Sequence, residues 1–472
     1  MEYIYDTKDC SIKFTSNELK EIFEIDSENS PNVSDLSSEL VEYIEKYGLE
    51  EKLVNKVFLD KSYFSFKEKE SKADDKKIYY EIDLDKLREI FKRKTESIRN
   101  DIISKFLLSE NLNFLIGNGC SRYAGSETIN EKSNNNLIKI LEDNENDEGD
   151  SEIKEAVKKL KNKRPEEVLD NLLQIRNYYR IIKEEKDVSD EVDNLIKDYK
   201  KQFIKDYVET IDYQKNAYHK MFLKRIVSRE GHLNRANIFT LNYDLLIEKS
   251  AEELGIIVNN GFHGFTIRKF NPSFYNLNYY LKNSDGIKTF NTSVNLFKLH
   301  GSLTWIEDEM AAPYGIVERQ PLFKNGKLNI EKTDYIIYPI QTKIKQSLDL
   351  PYSELFRAFV NYINRKNSTL IVMGYSFLDV HVNDIIANAL SNPDFNLVVF
   401  SYAKKGDKNI PEFLEKLFDL SREDSRITIF SGPILGRFEY IVEYLIPYYT
   451  ENNFEEIFIN TLKKLKEGDK NA

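Results

Sequence analysis

Short apolar runs bounded by glycine, proline or asparagine recur along the chain from residue 112 onwards. Such bounded runs are typical of buried strands. We predict strands at 112–116, 238–241, 296–299, 335–338, 370–373, 397–400 and 427–430. Segments with apolar residues at helical spacing lie between several of them, at 245–254, 355–363, 380–390 and 411–420. Strands that alternate with helices predict an α/β fold with a Rossmann-like, doubly wound parallel sheet.

A long segment from about 134 to 229 departs from this alternation. It is rich in lysine, glutamate, aspartate and asparagine, and its apolar residues fall at helical spacing, as at Val192, Leu195 and Tyr199. We predict a large helical insertion between the first and second strands. A segment anchored at both sides of a pocket can act as a lid, although a solvated surface decoration fits the same pattern.

The flanks of this core predict two further regions. Residues 1–105 alternate short apolar stretches with charge and contain a single glycine, Gly48, so we expect an N-terminal, mainly helical accessory unit. Residues 106–450 would form the main domain, including the insertion, and residues 451–472 would form a C-terminal helix.

Charge and cysteine content exclude several classes of protein. The chain has 472 residues, with 68 Lys plus Arg against 79 Asp plus Glu, for a net charge of −11. This charge repels a phosphate backbone, so we expect no direct sequence-specific nucleic-acid binding. The two cysteines, Cys10 and Cys120, cannot build a disulfide framework or a four-ligand zinc module, so we predict no zinc. No apolar run approaches the ~18 residues of a membrane span and no leader pattern is evident, so we expect a cytoplasmic protein without membrane contact.

The first predicted strand runs into a glycine-containing loop. This loop consists of Gly117, Asn118, Gly119, Cys120 and Ser121. Glycine lets bare backbone approach a diphosphate, with N–H groups free to donate to it. A lone Gly-x-Gly is as often an ordinary turn that needs glycine for its backbone geometry.

Two further strands lead into polar side chains. The strand at 238–241 is followed by Asn242 and Asp244, and ligands bind at the carboxyl ends of parallel strands. The alternative is a plain helix N-cap, for which both residue types are preferred. The strand at 296–299 is followed by His300, which alone among the five histidines directly follows a predicted strand. His300 is therefore the best candidate base near neutral pH.

The strand at 370–373 leads into Gly374, Tyr375, Ser376 and, at a helix start, Asp379. Glycine and serine can hold a phosphate or a ribose hydroxyl, whereas Asp379 is equally suited to cap the helix. Each motif is modest alone. Four strand ends that carry Gly-x-Gly, Asn-x-Asp, His-Gly and Gly-x-Ser in this order indicate one composite site.

This ordered set resembles the sirtuin catalytic domain, in which similar loops surround NAD⁺. The resemblance covers about 112–430 and is interrupted by the helical insertion. The residues that it implies as ligands of the dinucleotide are Gly117, Asn118, Gly119, Cys120, Ser121, Gly374, Tyr375, Ser376 and Asp379. Within that set, Gly117, Gly119 and Ser121 would line the phosphates. The catalytic residues that it implies are Asn242, Asp244 and His300.

Departures from the sirtuin pattern narrow the implied function. The sirtuin zinc module needs four cysteines, the Asp-Phe-Arg segment of deacylating members is missing after Ser121, and Leu241 replaces a glutamine. The segment from Gly374 to Asp379, with His381, is similar to that of sirtuin-like proteins of bacterial antiphage defence, which hydrolyse NAD⁺. The resemblance therefore implies that NAD⁺ is a substrate and that zinc is absent.

The implied function is release of nicotinamide and ADP-ribose, which would deplete cellular NAD⁺ in abortive infection. Two alternatives stay open: an NAD⁺-dependent protein deacylase, and a non-catalytic nucleotide-binding scaffold. No fused sensor domain is evident, so we expect activation through a homo-oligomer or a defence partner, such as a HerA-type ATPase or a phage-derived trigger.

Overall fold

The structure is a computed structural model. It describes residues 103–126, 165–207, 210–229, 233–283, 286–289, 292–324, 326–329, 350–432 and 435–447, with a few positions in 6–11, 89–99 and 155–160. The chain divides into two compact units, a smaller one of Met1–Leu107 with Leu397–Pro447 and a larger one of Leu108–Asn396 with Tyr448–Ala472. The domain boundaries expected from the sequence stay predictions. All the candidate site residues belong to the larger unit.

Five parallel strands form the sheet of the larger unit. They are β1 (Asn111–Ile116), β2 (Asn237–Thr240), β3 (Ile257–Asn259), β4 (Ser293–Lys298) and β5 (Ser368–Met373). Their order across the sheet is β5-β1-β2-β4-β3. Every residue of β1, β2, β4 and β5 is buried, as expected for parallel strands with both faces covered.

A ladder of buried side-chain amides crosses the middle of this sheet. Asn295 of β4 donates to Asn237 Oδ1 (2.8 Å), and Asn237 of β2 donates to Asn113 Oδ1 (3.0 Å). Asn113 of β1 in turn donates to Ser368 Oγ of β5 (3.0 Å). A one-residue slip would leave these amides buried without partners, which costs about 1–3 kcal/mol for each group. The ladder therefore helps to set the register of the four strands.

The register places four strand ends side by side. Met373 of β5 pairs with Ile116 of β1, Ile116 with Thr240 of β2, and Thr240 with Lys298 of β4. The loops that follow these four residues therefore begin next to each other at the carboxyl edge of the sheet, where ligands bind in open α/β sheets.

Seven α-helices of nine or more residues lie in the described part of the chain. They are α1 (Pro165–Asn177), α2 (Lys186–Tyr207), α3 (Ala217–Val227), α4 (Leu246–Leu254), α5 (Tyr352–Ile363), α6 (Val380–Ala389) and α7 (Glu412–Leu420). Helices α4 to α7 match the four predicted helices. The first three lie within the predicted insertion, where the described residues contain no strand and a π-helix, Tyr178–Lys183, follows α1.

Two further parallel strands are β6 (Phe395–Ser401), which belongs to the smaller unit from Leu397 onwards, and β7 (Ile427–Ser431), and α7 connects them in sequence. Leu397 pairs with Ile427. The described residues thus contain seven strands in parallel arrangement, with helices between most of them. This arrangement confirms the predicted α/β, Rossmann-like fold class.

Several short strands were not predicted. Besides β3, they include a four-stranded antiparallel sheet of Phe262–His263, Arg268–Phe270, Trp305–Glu307 and Ile316–Glu318. Two hairpins pair Tyr280–Asn283 with Gly286–Thr289 and Leu322–Lys324 with Lys327–Asn329. Segments of two to four residues are too short to show a clear alternation of apolar and polar positions. The strand predicted at 335–338 lies outside the described residues.

The remaining elements are short. Asp6–Thr7 pairs with Cys10–Ser11, and single turns or short helices occupy Ser104–Leu107, Pro272–Asn276, Glu309–Ala311, Phe438–Tyr440 and Ile441–Leu445. Most of the predicted N-terminal accessory unit and all of the predicted helix at 451–472 lie outside the described residues. No described helix is long and apolar enough to cross a membrane.

Candidate active site

The four predicted motifs meet at the carboxyl edge of the sheet. Gly117 directly follows β1 and Gly374 directly follows β5. Asn242 and His300 each lie two residues beyond the ends of β2 and β4. Because these strands are neighbours in register, residues far apart in sequence are brought together as the motif order indicates.

The glycine loop hydrogen-bonds to the loop after β5. Gly117 N donates to Met373 O (2.9 Å) and Gly119 N donates to Gly374 O (2.9 Å). A 3₁₀-helix, Asn118–Ala124, then follows Gly117. The sequence pattern had predicted free N–H groups in this loop for a diphosphate. The structure corrects this point for Gly117 and Gly119, whose amides are already paired with the neighbouring strand end.

Glycine is required in these loops because two backbones approach closely. A Cβ on Gly117 would lie 2.3 Å from Gly374 O, and one on Gly119 would lie 2.8 Å from Gly374 Cα. Gly374 has a φ of +63°, and a Cβ there would lie 2.5 Å from the Cys120 nitrogen. The buried Cys120 side chain packs against the same point. In the same loop, Asn118 Oδ1 accepts a hydrogen bond from Ser126 Oγ (2.5 Å).

The carboxamide of Asn242 is fixed in one orientation. Its Nδ2 donates to Gly117 O (3.1 Å) and to Ser121 Oγ (3.1 Å), and its backbone N donates to Thr240 Oγ1 (3.0 Å). A carbonyl only accepts, so the atom facing Gly117 O must be the nitrogen. Asn242 Oδ1 is buried and has no hydrogen-bond partner among the described residues. Buried acceptors are normally hydrogen-bonded, so this oxygen is available to a ligand or a water molecule.

Asp244 anchors the same loop. Its Oδ2 accepts from Ser121 Oγ (2.7 Å), and its Oδ1 accepts from Leu246 N (3.0 Å) at the start of α4. Asp244 lies one residue before the N-cap of α4, Leu245, so it is not the plain N-cap of the alternative interpretation, and its carboxylate joins the first amide of α4 to the glycine loop. Asp244, Ser121 and Asn242 are all buried.

His300 lies against Asp379. The distance from His300 Nε2 to Asp379 Oδ2 is 3.1 Å, and each side chain is 8% exposed. Asp379 Oδ1 accepts from His381 N (3.1 Å) and Val382 N (3.4 Å), so this residue also caps α6. Asp379 was predicted as a ligand of the dinucleotide, with a helix cap as the alternative. The structure shows the cap and also a contact between Asp379 and the candidate base His300.

Tyr375 and Ser376 point to different surroundings. Tyr375 is buried, and its hydroxyl lies 3.0 Å from both Asp379 O and Asn383 Oδ1. Burial, with the nearby Asp379 carboxylate, raises the pKa of Tyr375 well above its usual range, so it stays a neutral hydrogen-bond donor. Ser376 is exposed. Tyr375 thus supports the loop that carries Asp379, while Ser376 is open to solvent.

Lys298, the last residue of β4, was not among the predicted site residues. Its Nζ donates to Asp244 O, to Tyr243 O (3.2 Å) and to Glu248 Oε1 (2.9 Å). The Lys298 side chain is 3% exposed, and burial raises the pKa of Glu248 while the Lys298 ammonium opposes that rise. These three contacts fix the loop of Asn242 and the first turn of α4 to β4, the strand that precedes His300. A lysine inside an apolar strand was the available sequence signal.

A second missed pair is Tyr123 and His219. The Tyr123 hydroxyl lies 2.7 Å from His219 Nδ1 and accepts from His219 N (3.2 Å). His219 was not among the predicted site residues, and its exposure of 1% shows that it packs in the interior. Burial lowers the pKa of His219 to about 4, against the opposing effect of Asp244. His219 is therefore neutral at pH 7, and it ties α3 to the 3₁₀-helix of the glycine loop.

The helical insertion packs directly on two site loops. Its buried apolar residues form a cluster with members from both α1 and α2, including Leu172, Leu195 and Tyr199. Tyr243, between Asn242 and Asp244, and Leu303, three residues after His300, pack against this cluster. The insertion is thus continuous with the loops that carry the candidate catalytic residues.

Comparison with known families supports the resemblance seen in the sequence. The family model described as SIR2-like domain matches residues 236–418. This range includes Asn242, His300 and Asp379 and leaves the glycine loop outside. The match supports a sirtuin-like family and NAD-related activity in general. No curated protein matches the chain.

Among the described residues, no group of three or more His, Cys, Asp or Glu side chains is placed to hold a metal ion. The expectation of no zinc rests on the cysteine count of the sequence and stays a prediction.

Proposed function

We propose that the protein is an NAD⁺ hydrolase that releases nicotinamide and ADP-ribose. The observation that carries this proposal is the Asn242 carboxamide, which is buried and held by Gly117 and Ser121 and whose Oδ1 has no partner in the part of the chain that the structure describes. The second support is the SIR2-like match, which spans Asn242 and His300. A rigid acceptor and a candidate base on the loops of two neighbouring strands suit a reaction in which water must be positioned.

In the proposed reaction, the side chains of Asn242 and His300 act on the attacking water and the ribose. The bond between ribose C1′ and the nicotinamide nitrogen breaks, and its electron pair neutralises the pyridinium charge of the leaving group. A water oxygen bonds to C1′ and loses one proton, giving ADP-ribose. Asn242 Oδ1 would accept a hydrogen bond from that water, and His300 would accept a proton from the water or a ribose hydroxyl. The transition state resembles an oxocarbenium ion, so positioning supplies much of the rate.

The residues fit the dinucleotide in part. The unpaired Asn242 Oδ1 fits a ligand at the nicotinamide end. The amides of Gly117 and Gly119 are paired with the β5 end, so the diphosphate cannot take its donors from them in this conformation. The assignment of Gly117, Gly119 and Ser121 to the phosphates therefore has less support than the assignment of Asn242 to the reacting end.

Deacylation is the second candidate. Sirtuins that deacylate proteins use a four-cysteine zinc module to frame the peptide groove, whereas this sequence holds Cys10 and Cys120 only. Hydrolysis needs no peptide groove, because water is the acceptor. A non-catalytic scaffold is disfavoured because a buried acceptor without a partner among the described residues costs stability without an evident structural gain.

We further propose a role in antiphage defence, in which NAD⁺ depletion arrests the infected cell. Homo-oligomerisation, or a partner such as a HerA-type ATPase or a phage-derived trigger, would activate the site. These proposals rest on the likeness of the Gly374–Asp379 segment and His381 to defence-associated sirtuin-like proteins. These proposals are tested by measuring NAD⁺ in infected and uninfected bacteria that express the chain.

The enzymatic proposal is tested by incubating the full chain with NAD⁺ and quantifying free nicotinamide. We expect Asn242→Ala and His300→Ala to lower the rate by ~10²–10⁴-fold, as is typical for removal of a positioned acid–base group. His263→Ala removes an exposed histidine and should leave the rate unchanged. Wild-type rates in both site variants would reject the assignment. If the chain instead removes the acetyl group from an acetylated peptide and consumes NAD⁺ in doing so, deacylation is supported.

A further inference from the structure

The hydroxyl of Ser121 stands between two site residues. Ser121 is 0% exposed. Its Oγ lies 2.7 Å from Asp244 Oδ2 and 3.1 Å from Asn242 Nδ2. A carboxylate only accepts and an amide nitrogen only donates, so the direction of both bonds is settled. The single Ser121 proton goes to Asp244, and a Ser121 lone pair receives a proton of Asn242.

This arrangement uses both amide protons of Asn242. One goes to Gly117 O and the other to Ser121 Oγ, both at 3.1 Å. Rotation of the carboxamide by half a turn would bring Oδ1 against Gly117 O, and two acceptors would then face each other without a proton. Ser121 and Gly117 therefore determine where Oδ1 points, and Oδ1 is the atom left for a ligand or water.

Asp244 holds Ser121 in turn. Its Oδ2 accepts the Ser121 proton, and its Oδ1 accepts from Leu246 N (3.0 Å) at the start of α4. Each oxygen already has a partner and Asp244 is 7% exposed. The result is a continuous chain of hydrogen bonds from α4 through Asp244 and Ser121 to Asn242.

We infer that Ser121 is a positioning residue for Asn242 and does not bind the phosphates of the dinucleotide. Its proton is committed to Asp244, so it has none to donate to a phosphate oxygen. The inference rests on the proposed function for the identity of the ligand. It changes the role that the resemblance implies for Ser121, and it assigns Asp244 to the support of Ser121.

Kinetics separate the two roles of Ser121. In Ser121→Ala, a positioning role predicts a fall in kcat of about 10–100-fold with KM for NAD⁺ changed by less than about threefold. A phosphate ligand predicts a raised KM with little change in kcat. Ser250→Ala is the matched control, because Ser250 is equally buried, lies on α4 and has no side-chain partner among the described residues. We expect its kinetics to match the wild type.

Ligand binding gives a second measurement that needs no turnover. ADP-ribose carries the diphosphate and lacks nicotinamide, so its Kd reports phosphate contacts. We expect the Kd of Ser121→Ala to stay within about threefold of the wild type, and a tenfold weakening would overturn the inference. Ser121→Cys keeps the side-chain volume closer to native and repeats both measurements if the alanine variant does not fold.

A third measurement is independent of NAD⁺. With asparagine labelled by ¹⁵N, the two Asn242 Nδ2 protons should exchange slowly with solvent in the wild type and at least tenfold faster in Ser121→Ala. Equal exchange in the two proteins would overturn the positioning role. If the wild type neither cleaves NAD⁺ nor binds ADP-ribose, the proposed function fails, and the exchange measurement still decides the role of Ser121.

Discussion

The carboxylate of Asp379 serves His300 and the first turn of α6 at once. Oδ2 lies 3.1 Å from His300 Nε2, and Oδ1 accepts from His381 N (3.1 Å) and Val382 N (3.4 Å). The start of α6 is therefore connected to the candidate base. A shift of this helix would move the charge that faces the imidazole.

Substitutions of Asp379 separate these two functions. Asp379→Asn keeps a good helix cap and removes the charge next to His300, so we expect NAD⁺ cleavage to fall at least tenfold with little loss of stability. Asp379→Ala removes the cap as well and should lower the free energy of unfolding by a further ~1 kcal/mol. Cleavage rates and urea unfolding measure the two effects. Cleavage by Asp379→Asn at the wild-type rate would reduce Asp379 to a cap.

Removal of the Lys298 ammonium should both destabilise the protein and slow cleavage. Lys298→Met removes the ammonium that pairs with the partly buried Glu248 carboxylate and donates to Asp244 O, whereas Tyr243 O still accepts from Leu303 N (3.3 Å). Loss of one partner of a buried ion pair costs about 3–5 kcal/mol. Urea unfolding of the variant measures this loss.

Two variants serve as controls for Lys298. Lys201→Met breaks an exposed pair with Asp198 and should change the free energy of unfolding by less than about 1 kcal/mol. Lys298→Met combined with Glu248→Leu removes the unpaired carboxylate and should recover part of the loss. If Lys298→Met is no less stable than Lys201→Met, the Lys298 contacts contribute nothing to stability.

Gly374→Ala tests the close approach of the two loops. Gly374 and Gly255 both have positive φ, +63° and +68°, so alanine costs about 1–2 kcal/mol at either position. A Cβ on Gly374 would also lie 2.5 Å from the Cys120 nitrogen, whereas one on Gly255 meets nothing within 4 Å. We expect Gly374→Ala to lose roughly 1–3 kcal/mol more than Gly255→Ala in urea unfolding. Equal losses would show that backbone strain alone requires the glycine.

The buried His219 predicts that stability falls in acid. Its pKa is about 4 in the folded chain and ~6.5 when unfolded, so the unfolded chain binds more protons between these values. The free energy of unfolding should therefore fall as the pH drops from 6.5 to 4, with His219 contributing up to roughly 3 kcal/mol. Urea unfolding at several pH values gives the free energy of unfolding as a function of pH. Its slope between pH 4 and 6.5 should be smaller for His219→Gln than for the wild type. The exposed His263→Gln should keep the wild-type slope.

Much of the sheet could be predicted from the sequence because its strands are buried on both faces. Such strands are largely apolar runs that end in glycine or a polar residue, and β1, β4 and β5 show this pattern clearly. The order of the four motifs also indicated one site, and the register of β5, β1, β2 and β4 brings them together.

The rest of the site depended on pairings that a sequence does not display. The amides of Gly117 and Gly119 look free until the β5 end is placed beside them. Lys298 has the polarity of a surface residue, and only the position of Glu248 and two carbonyls explains its burial. Short antiparallel strands such as Phe262–His263 are stabilised by partners distant in sequence and show no period of their own.

The helical insertion should respond when the site is occupied. Its α1 and α2 share an apolar cluster with Tyr243 and Leu303, which lie on the loops of Asn242 and His300. A ligand that orders these loops should slow hydrogen exchange in α1 and α2 as well as around Asn242. Hydrogen exchange of the full chain with and without a non-hydrolysable NAD⁺ analogue measures this protection.

Tyr243→Ala is the matched variant, because it removes the ring that packs against the cluster. It should reduce the response of α1 and α2 more than that of the Asn242 loop. Protection that rises around Asn242 and Gly117 but stays unchanged in both helices would show that the insertion is a surface decoration and does not gate the site.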